Sequence, residues 1–150
     1  MSTFENYYNG FYKEISKLDE AGNKFSKIEG FLPTLRDKME ILDIGCGHGG
    51  VCNDLIKKGH KVHGVEINKD AIESLKSKGF EVYEQDISKP LDLDKKFDVV
   101  MLLDVLEHIF DPFALLNEAK CVTKTGEGYI IVTVPLYFDF VDRVKILITG

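Results

Sequence analysis

A chain of 150 residues, 44% hydrophobic and 29% charged with four prolines, falls in the size range of one globular domain and has neither a disordered nor a collagen-like composition. Its formal net charge is −6 and its lysines are scattered, so the basic footprint of a nucleic-acid-binding protein is missing and no nucleic-acid partner is expected. Cys46, Cys52 and Cys121 have neither metal-ligand nor disulfide-framework spacing, which fits free thiols in a reducing compartment; the cytoplasm is the expected location and no metal is expected. The opening M-S-T-F-E-N-Y-Y lacks a leader pattern, and no run reaches the roughly 18 apolar residues of a membrane helix. No membrane partner is expected.

In chain order, Phe4, Tyr8, Phe11, Ile15 and Leu18 recur at steps of three and four, the period of an amphipathic helix. A second short helix with Phe25, Ile28 and Phe31 runs to Pro33. Residues 1–38 thus read as an N-terminal helical segment and 39–150 as the main part of the domain. From Met39 the chain alternates apolar runs with helical periods, the pattern of parallel βαβ units. Strands are predicted at Met39–Ile44, Lys61–Glu66, Glu81–Glu84, Phe97–Leu103 and Tyr129–Val134. The fourth, almost wholly apolar, is the candidate central strand. Helices are predicted over Gly50–Lys58, from the N-cap Asn68 to a stop at Gly79, and from the Asp111–Pro112 cap to about Val122. Phe140, Val141, Val144, Leu147 and Ile148 suggest a last helix.

The stretch I-L-D-I-G-C-G-H-G-G, Ile41 to Gly50, carries the strongest functional signal. It is a strand running into a glycine-rich turn that opens a helix, where bare backbone lets a ligand approach closely. Gly45, Gly47 and Gly50 also satisfy the G-x-G-x-x-G pattern of dinucleotide binders, a weak match by itself. Asp43, two residues before the first glycine, extends the string to D-x-G-x-G-x-G. That string resembles motif I of class I S-adenosylmethionine-dependent methyltransferases. The resemblance continues in order through Glu66 at the end of strand two, Q-D-I at Gln85–Ile87, and D-V-V-M-L-L-D-V-L-E-H-I-F-D-P at Asp98–Pro112. The last of these, with the later G-E-G-Y-I-I-V-T-V-P, is similar to the ubiquinone-type O-methyltransferases and related small-molecule enzymes. The motifs span roughly Met39 to Pro135.

The resemblance implies a Rossmann-like α/β fold, a doubly wound parallel sheet of order 3-2-1-4-5 with flanking helices, binding S-adenosylmethionine and releasing S-adenosylhomocysteine. It implies that Gly45, Cys46 and Gly47 approach the methionine part, that Asp43 orients its ammonium directly or through water, and that Glu66, with Ile67 beside it, holds the ribose. Asp86 and Ile87 would frame the adenine, and Leu103 and Asp104 would lie near the methionine portion. A carboxylate at the strand end suits a ligand with an ammonium and a sulfonium better than an anionic pyrophosphate. Glu66 fits either ligand.

An oxygen acceptor must lose a proton, and Asp104, Glu107 and His108 follow strand four on the ligand side; His108 is the general-base candidate by type. The competing reading makes Glu107 and His108 a polar helix start. The same triplet is an alternative cation site, His48 reads as an exposed turn residue, and a tyrosine among Tyr7, Tyr8 and Tyr12, with Phe11, is a lid candidate. The expected reaction is methyl transfer to a small-molecule acceptor, with oxygen as the atom. The alternatives are a non-catalytic cofactor-binding module, a C-terminally truncated fragment, and, on the weaker glycine pattern, an NAD-dependent oxidoreductase. Family members add two strands after strand five; both strands six and seven are expected to be absent here. The exposed edge of strand five then suggests a homodimer.

Overall fold

The computed structural model describes residues 38–135 and the backbone of 143–149. The two predicted N-terminal helices, and the lid reading for Tyr7, Tyr8, Phe11 and Tyr12, lie outside the described residues. The chain divides into two units, Met1–Pro33 and Thr34–Gly150, and the described architecture belongs to the second.

Six strands form one sheet: β1 (Glu40–Ile44), β2 (Lys61–Glu66), β3 (Glu81–Glu84), β4 (Val99–Leu103), β5 (Tyr129–Pro135) and β6 (Arg143–Thr149). The order is β3-β2-β1-β4-β5-β6. The first five strands are parallel, which is the expected 3-2-1-4-5 arrangement. All five residues of β4 are buried, as a central strand covered on both faces requires. Phe97, expected inside this strand, stands ahead of it as an isolated bridge to Thr123 and is fully buried.

The helices form where local chemistry starts and stops them. The helix α1 (Gly50–Lys57) buries Val51, Cys52 and Leu55, and the chain leaves it through Gly59 at φ +92°. Asn68 Oδ1 accepts the Ala71 N–H at 3.0 Å to cap α2 (Lys69–Ser77), whose Ala71, Ile72 and Leu75 are buried. Asp111 Oδ1 accepts the Ala114 N–H at 3.0 Å and Pro112 takes the first position of α3 (Pro112–Val122), where its missing N–H costs nothing. Leu115, Ala119 and Val122 of α3 pack on Leu42, Ile44, Val100, Leu102, Ile130 and Val132 of the sheet. Burying each large apolar side chain contributes roughly 1.5–3 kcal/mol before the entropy of ordering it is counted.

The C-terminal expectation is corrected. Residues Arg143–Thr149, expected within a helix, form β6 antiparallel to β5, in register from Tyr129 opposite Thr149 to Pro135 opposite Arg143. The expectation that strands six and seven are both absent therefore fails for one of them. The sequence R-V-K-I-L-I-T carries β-branched Val144, Ile146 and Ile148 at period two, and the edge of β5 offers unpaired backbone groups that such a segment satisfies. With that edge of β5 paired, it supplies no argument for a homodimer. No helix among the described residues is long and apolar enough to cross a membrane.

Candidate functional site

Parallel pairing places the ends of β1, β2, β3 and β4 side by side. Asp43 lies opposite Gly64 and Met101, Glu66 closes β2 opposite Glu84, Asp86 follows β3 by two residues, and Asp104 follows β4 by one. Four carboxylates thus line the carboxyl end of the sheet, the side on which open α/β sheets bind ligands.

The glycine turn fills the space between β1 and α1. Gly45 has φ +74°, and a Cβ there would stand 2.8 Å from Val105 Cγ2, so both its conformation and its neighbour demand glycine. The turn is braced against β2. The N–H groups of Gly45 and Cys46 donate to the Val65 carbonyl at 2.8 and 3.2 Å, and that of Gly49 to the Cys46 carbonyl at 2.9 Å. The Gly47 N–H donates to Glu66 Oε2 at 2.9 Å. Cys46 is buried against Gly64, where a Cβ would come within 2.5 Å of its sulfur. His48 is exposed.

Glu66 is 3% exposed and holds the site together. Besides the Gly47 N–H, it accepts the Ile67 and Asn68 N–H groups on Oε1, both at 2.8 Å. Ile67 itself is half exposed. Asp43, also buried, accepts the Cys52 thiol at 3.1 Å. Burial pushes the Cys46 and Cys52 thiols well above the ordinary range, and the neighbouring Asp43 charge adds to it. Cys52 is therefore a neutral donor and not a nucleophile.

Asp86 is held below the usual carboxylate range chiefly by the Ser88 hydroxyl and N–H, with Lys89 adding to it. Its Oδ1 takes the Ser88 hydroxyl at 2.6 Å and N–H at 3.0 Å, and Oδ2 pairs with Lys89 at 3.3 Å. Ile87 is half buried, its Cδ1 3.9 Å from where a Gly45 Cβ would stand. Leu103 is buried at the end of β4. Asp104 adopts φ +57°, a left-handed conformation that few residues other than glycine accept. Beyond it a short 3₁₀ turn, Leu106–His108, sets His108 Nε2 4.0 Å from Glu107 Oε1. Among the described residues, no group of three or more His, Cys, Asp or Glu side chains is placed to hold a metal ion, so Asp104, Glu107 and His108 do not assemble as a cation site.

Three residues of this site have no signature in the sequence. Cys52 reaches Asp43 across nine positions, Val105 packs over Gly45, and Thr133 of β5 binds Asp104 across 29 positions. The glycine motif hints at a close neighbour but does not say which residue supplies it.

A 3-2-1-4-5 sheet with an acidic strand end, a glycine turn behind it and a buried carboxylate closing the second strand defines the Rossmann-like class I methyltransferase fold. The comparisons agree: the family model described as "Methyltransferase domain" matches residues 16–147, and the chain belongs to that family. Over 99 residues it is 38% identical to the ubiquinone biosynthesis O-methyltransferase of Rickettsia conorii, covering 62% of this chain and 34% of that relative. The solved structure of an S-adenosylmethionine-dependent methyltransferase from Archaeoglobus fulgidus matches with a TM-score of 0.67 and 29% identity, over 87% of this chain and 59% of that one. The glycopeptide N-methyltransferase MtfA complexed with S-adenosylmethionine matches with a TM-score of 0.66 at 11% identity, over 85% of this chain and 65% of that one; this likeness shows the fold alone. The chain spans about a third of the length of the Rickettsia relative.

Proposed function

We propose that this chain binds S-adenosylmethionine at the carboxyl end of the sheet and transfers its methyl group to the oxygen of a small-molecule acceptor. The observation that carries the reading is the line of four carboxylates around a turn four of whose amides are bonded within the protein. A dinucleotide's pyrophosphate needs backbone N–H donors from the glycine turn. Here the N–H groups of Gly45, Cys46, Gly47 and Gly49 are bonded within the protein, and the acidic lining repels an anion. The same lining attracts a ligand that carries an ammonium and a sulfonium. Asp43 would face the ammonium, Gly45, Cys46 and Gly47 the methionine chain, Glu66 the ribose hydroxyls, and Ile67, Asp86 and Ile87 the adenine, with Leu103 and Asp104 beside the methionine.

When bound, S-adenosylmethionine supplies an electrophilic methyl carbon with a neutral thioether as leaving group. The protein's part is then to hold the acceptor in line and to keep water away. Asp104 stands at the tip of β4, next to the turn that presents Glu107 and His108. His108 would take the acceptor's proton, with Glu107 beside it at 4.0 Å. The O-methyltransferase name of the Rickettsia relative favours oxygen as the accepting atom.

Isothermal titration with S-adenosylhomocysteine and, separately, with NAD tests the reading. Binding of the first and not the second is expected. Binding of NAD alone would replace the methyltransferase reading with the oxidoreductase one.

A further inference from the structure

Asp104 occupies a left-handed conformation that aspartate accepts more readily than most residues but less freely than glycine, and contacts from the neighbouring strand stabilise it there. Thr133 does so from the neighbouring strand. The last pair of the β4–β5 ladder is Leu103 opposite Thr133, and one residue further the Asp104 N–H donates both to the Thr133 carbonyl at 3.0 Å and to Thr133 Oγ1 at 3.1 Å. The Thr133 hydroxyl in turn donates to Asp104 Oδ1 at 2.8 Å. Thr133 is 3% exposed, and its hydroxyl hydrogen goes to the carboxylate while its oxygen takes the amide. A buried hydroxyl on β5, flanked in the sequence by Val132 and Val134, has its hydrogen-bonding capacity directed at Asp104, one residue outside the ladder.

We infer that Thr133 is a positioning residue for the proposed cofactor site: it fixes the backbone and the carboxylate of Asp104 at the mouth of that site before any ligand arrives. The inference rests on the cofactor reading above and adds to it a residue on β5, outside the glycine turn and its flanking motifs. Threonine is suited to this role because its methyl group keeps the strand packing while the hydroxyl makes the reciprocal pair. Valine has the same shape without the hydroxyl, and serine has the hydroxyl without the methyl.

That contrast is the test. Thr133→Val and Thr133→Ser are compared with the unaltered chain by titration with S-adenosylhomocysteine, by urea unfolding, and by hydrogen exchange at the Asp104 amide. The expected result is a three- to tenfold weaker affinity for Thr133→Val with faster exchange at Asp104, and an affinity within twofold of the unaltered chain for Thr133→Ser. In an Asp104→Ala background, Thr133→Val should cost clearly less affinity than in the unaltered chain, since the carboxylate bond is gone and only the hydroxyl's bond to the backbone N–H remains to be lost. A packing role predicts the reverse order, with valine harmless and serine costly. Wild-type affinity in Thr133→Val overturns the inference and leaves the cofactor reading intact. Absence of S-adenosylhomocysteine binding by the unaltered chain overturns the cofactor reading and the inference with it.

Discussion

Glu66→Gln is the substitution that best separates bracing from ligand binding. The Glu66 carboxylate is buried and accepts the N–H groups of Gly47, Ile67 and Asn68 at 2.9, 2.8 and 2.8 Å. A glutamine of the same length keeps one oxygen, which can still serve Ile67 and Asn68 because both bond the same atom. The other terminal atom becomes an NH₂ group facing the Gly47 N–H, donor against donor. One hydrogen bond to a charged acceptor is lost, at roughly 1.5–3 kcal/mol, and the two that remain fall to about half their charge-assisted strength. The expected loss of stability is about 3–6 kcal/mol. Equilibrium urea unfolding of the isolated chain measures it, with an unchanged m-value as the sign that only stability moved. Glu84→Gln at the exposed end of β3 is the control and should stay within about 0.5 kcal/mol. A Glu66→Gln loss no larger than the control's would refute the claim that this carboxylate braces the glycine turn.

Other substitutions and pH follow the same logic. Gly64→Ala would bring a Cβ to 2.5 Å from the Cys46 sulfur; thermal unfolding should show a loss of about 1–3 kcal/mol, largely recovered when Cys46→Ala is added. Asp43→Asn should leave the chain folded, because the Cys52 thiol can still donate to the amide oxygen, yet weaken S-adenosylhomocysteine binding at least roughly tenfold. Burial lowers the pKa of both His60 and His63; Lys58 adds to this at His60, while at His63 the nearby Glu81 opposes it and Lys95 and Lys61 add to it, leaving the net direction downward. The unfolded chain therefore binds more protons than the folded one as pH falls, so stability is full above the ordinary histidine value of about 6.5 and declines below it. Urea midpoints between about pH 7.5 and pH 5.5 should trace that decline, and His63→Phe should flatten it.

The parts of the fold legible in the sequence are those with local causes. Lys61–Glu66 and Glu81–Glu84 form strands at the predicted bounds. Asn68 and Asp111 cap α2 and α3 with their own side chains, which any reader of helix starts can see. The strand β6 was not legible. Phe140, Val141, Val144, Leu147 and Ile148 satisfy a helical period, while Val144, Ile146 and Ile148 satisfy a strand period, and the edge of β5 decides between them through backbone pairing that no local pattern encodes. Site residues divide in the same way. Asp43, Gly45, Gly47 and Glu66 announce themselves by spacing along the chain. The partners that hold them do not, since Cys52, Val105 and Thr133 act through contacts made only when the strands lie side by side. The left-handed backbone of Asp104 was hidden for a further reason: sequence reading expects glycine wherever φ is positive, and here a bond from β5 takes glycine's place.

Those hidden partners explain how an acidic site can exist without its ligand. Carboxylates gathered at one end of a sheet repel one another, and a buried charge with no donor costs several kcal/mol. Here each one has a protein donor: the Cys52 thiol for Asp43, three amides for Glu66, Ser88 and Lys89 for Asp86, and Thr133 for Asp104. The Cys52 thiol, the three amides, Ser88 and the Thr133 hydroxyl are neutral donors that orient the carboxylates. A cationic ligand would then meet acceptors whose geometry is already fixed, and would lose less to reorganisation on binding than it would against mobile side chains. The price of that arrangement falls on the fold, which must spend buried donors and a strained residue on it, and those are the positions where substitution should separate stability from binding.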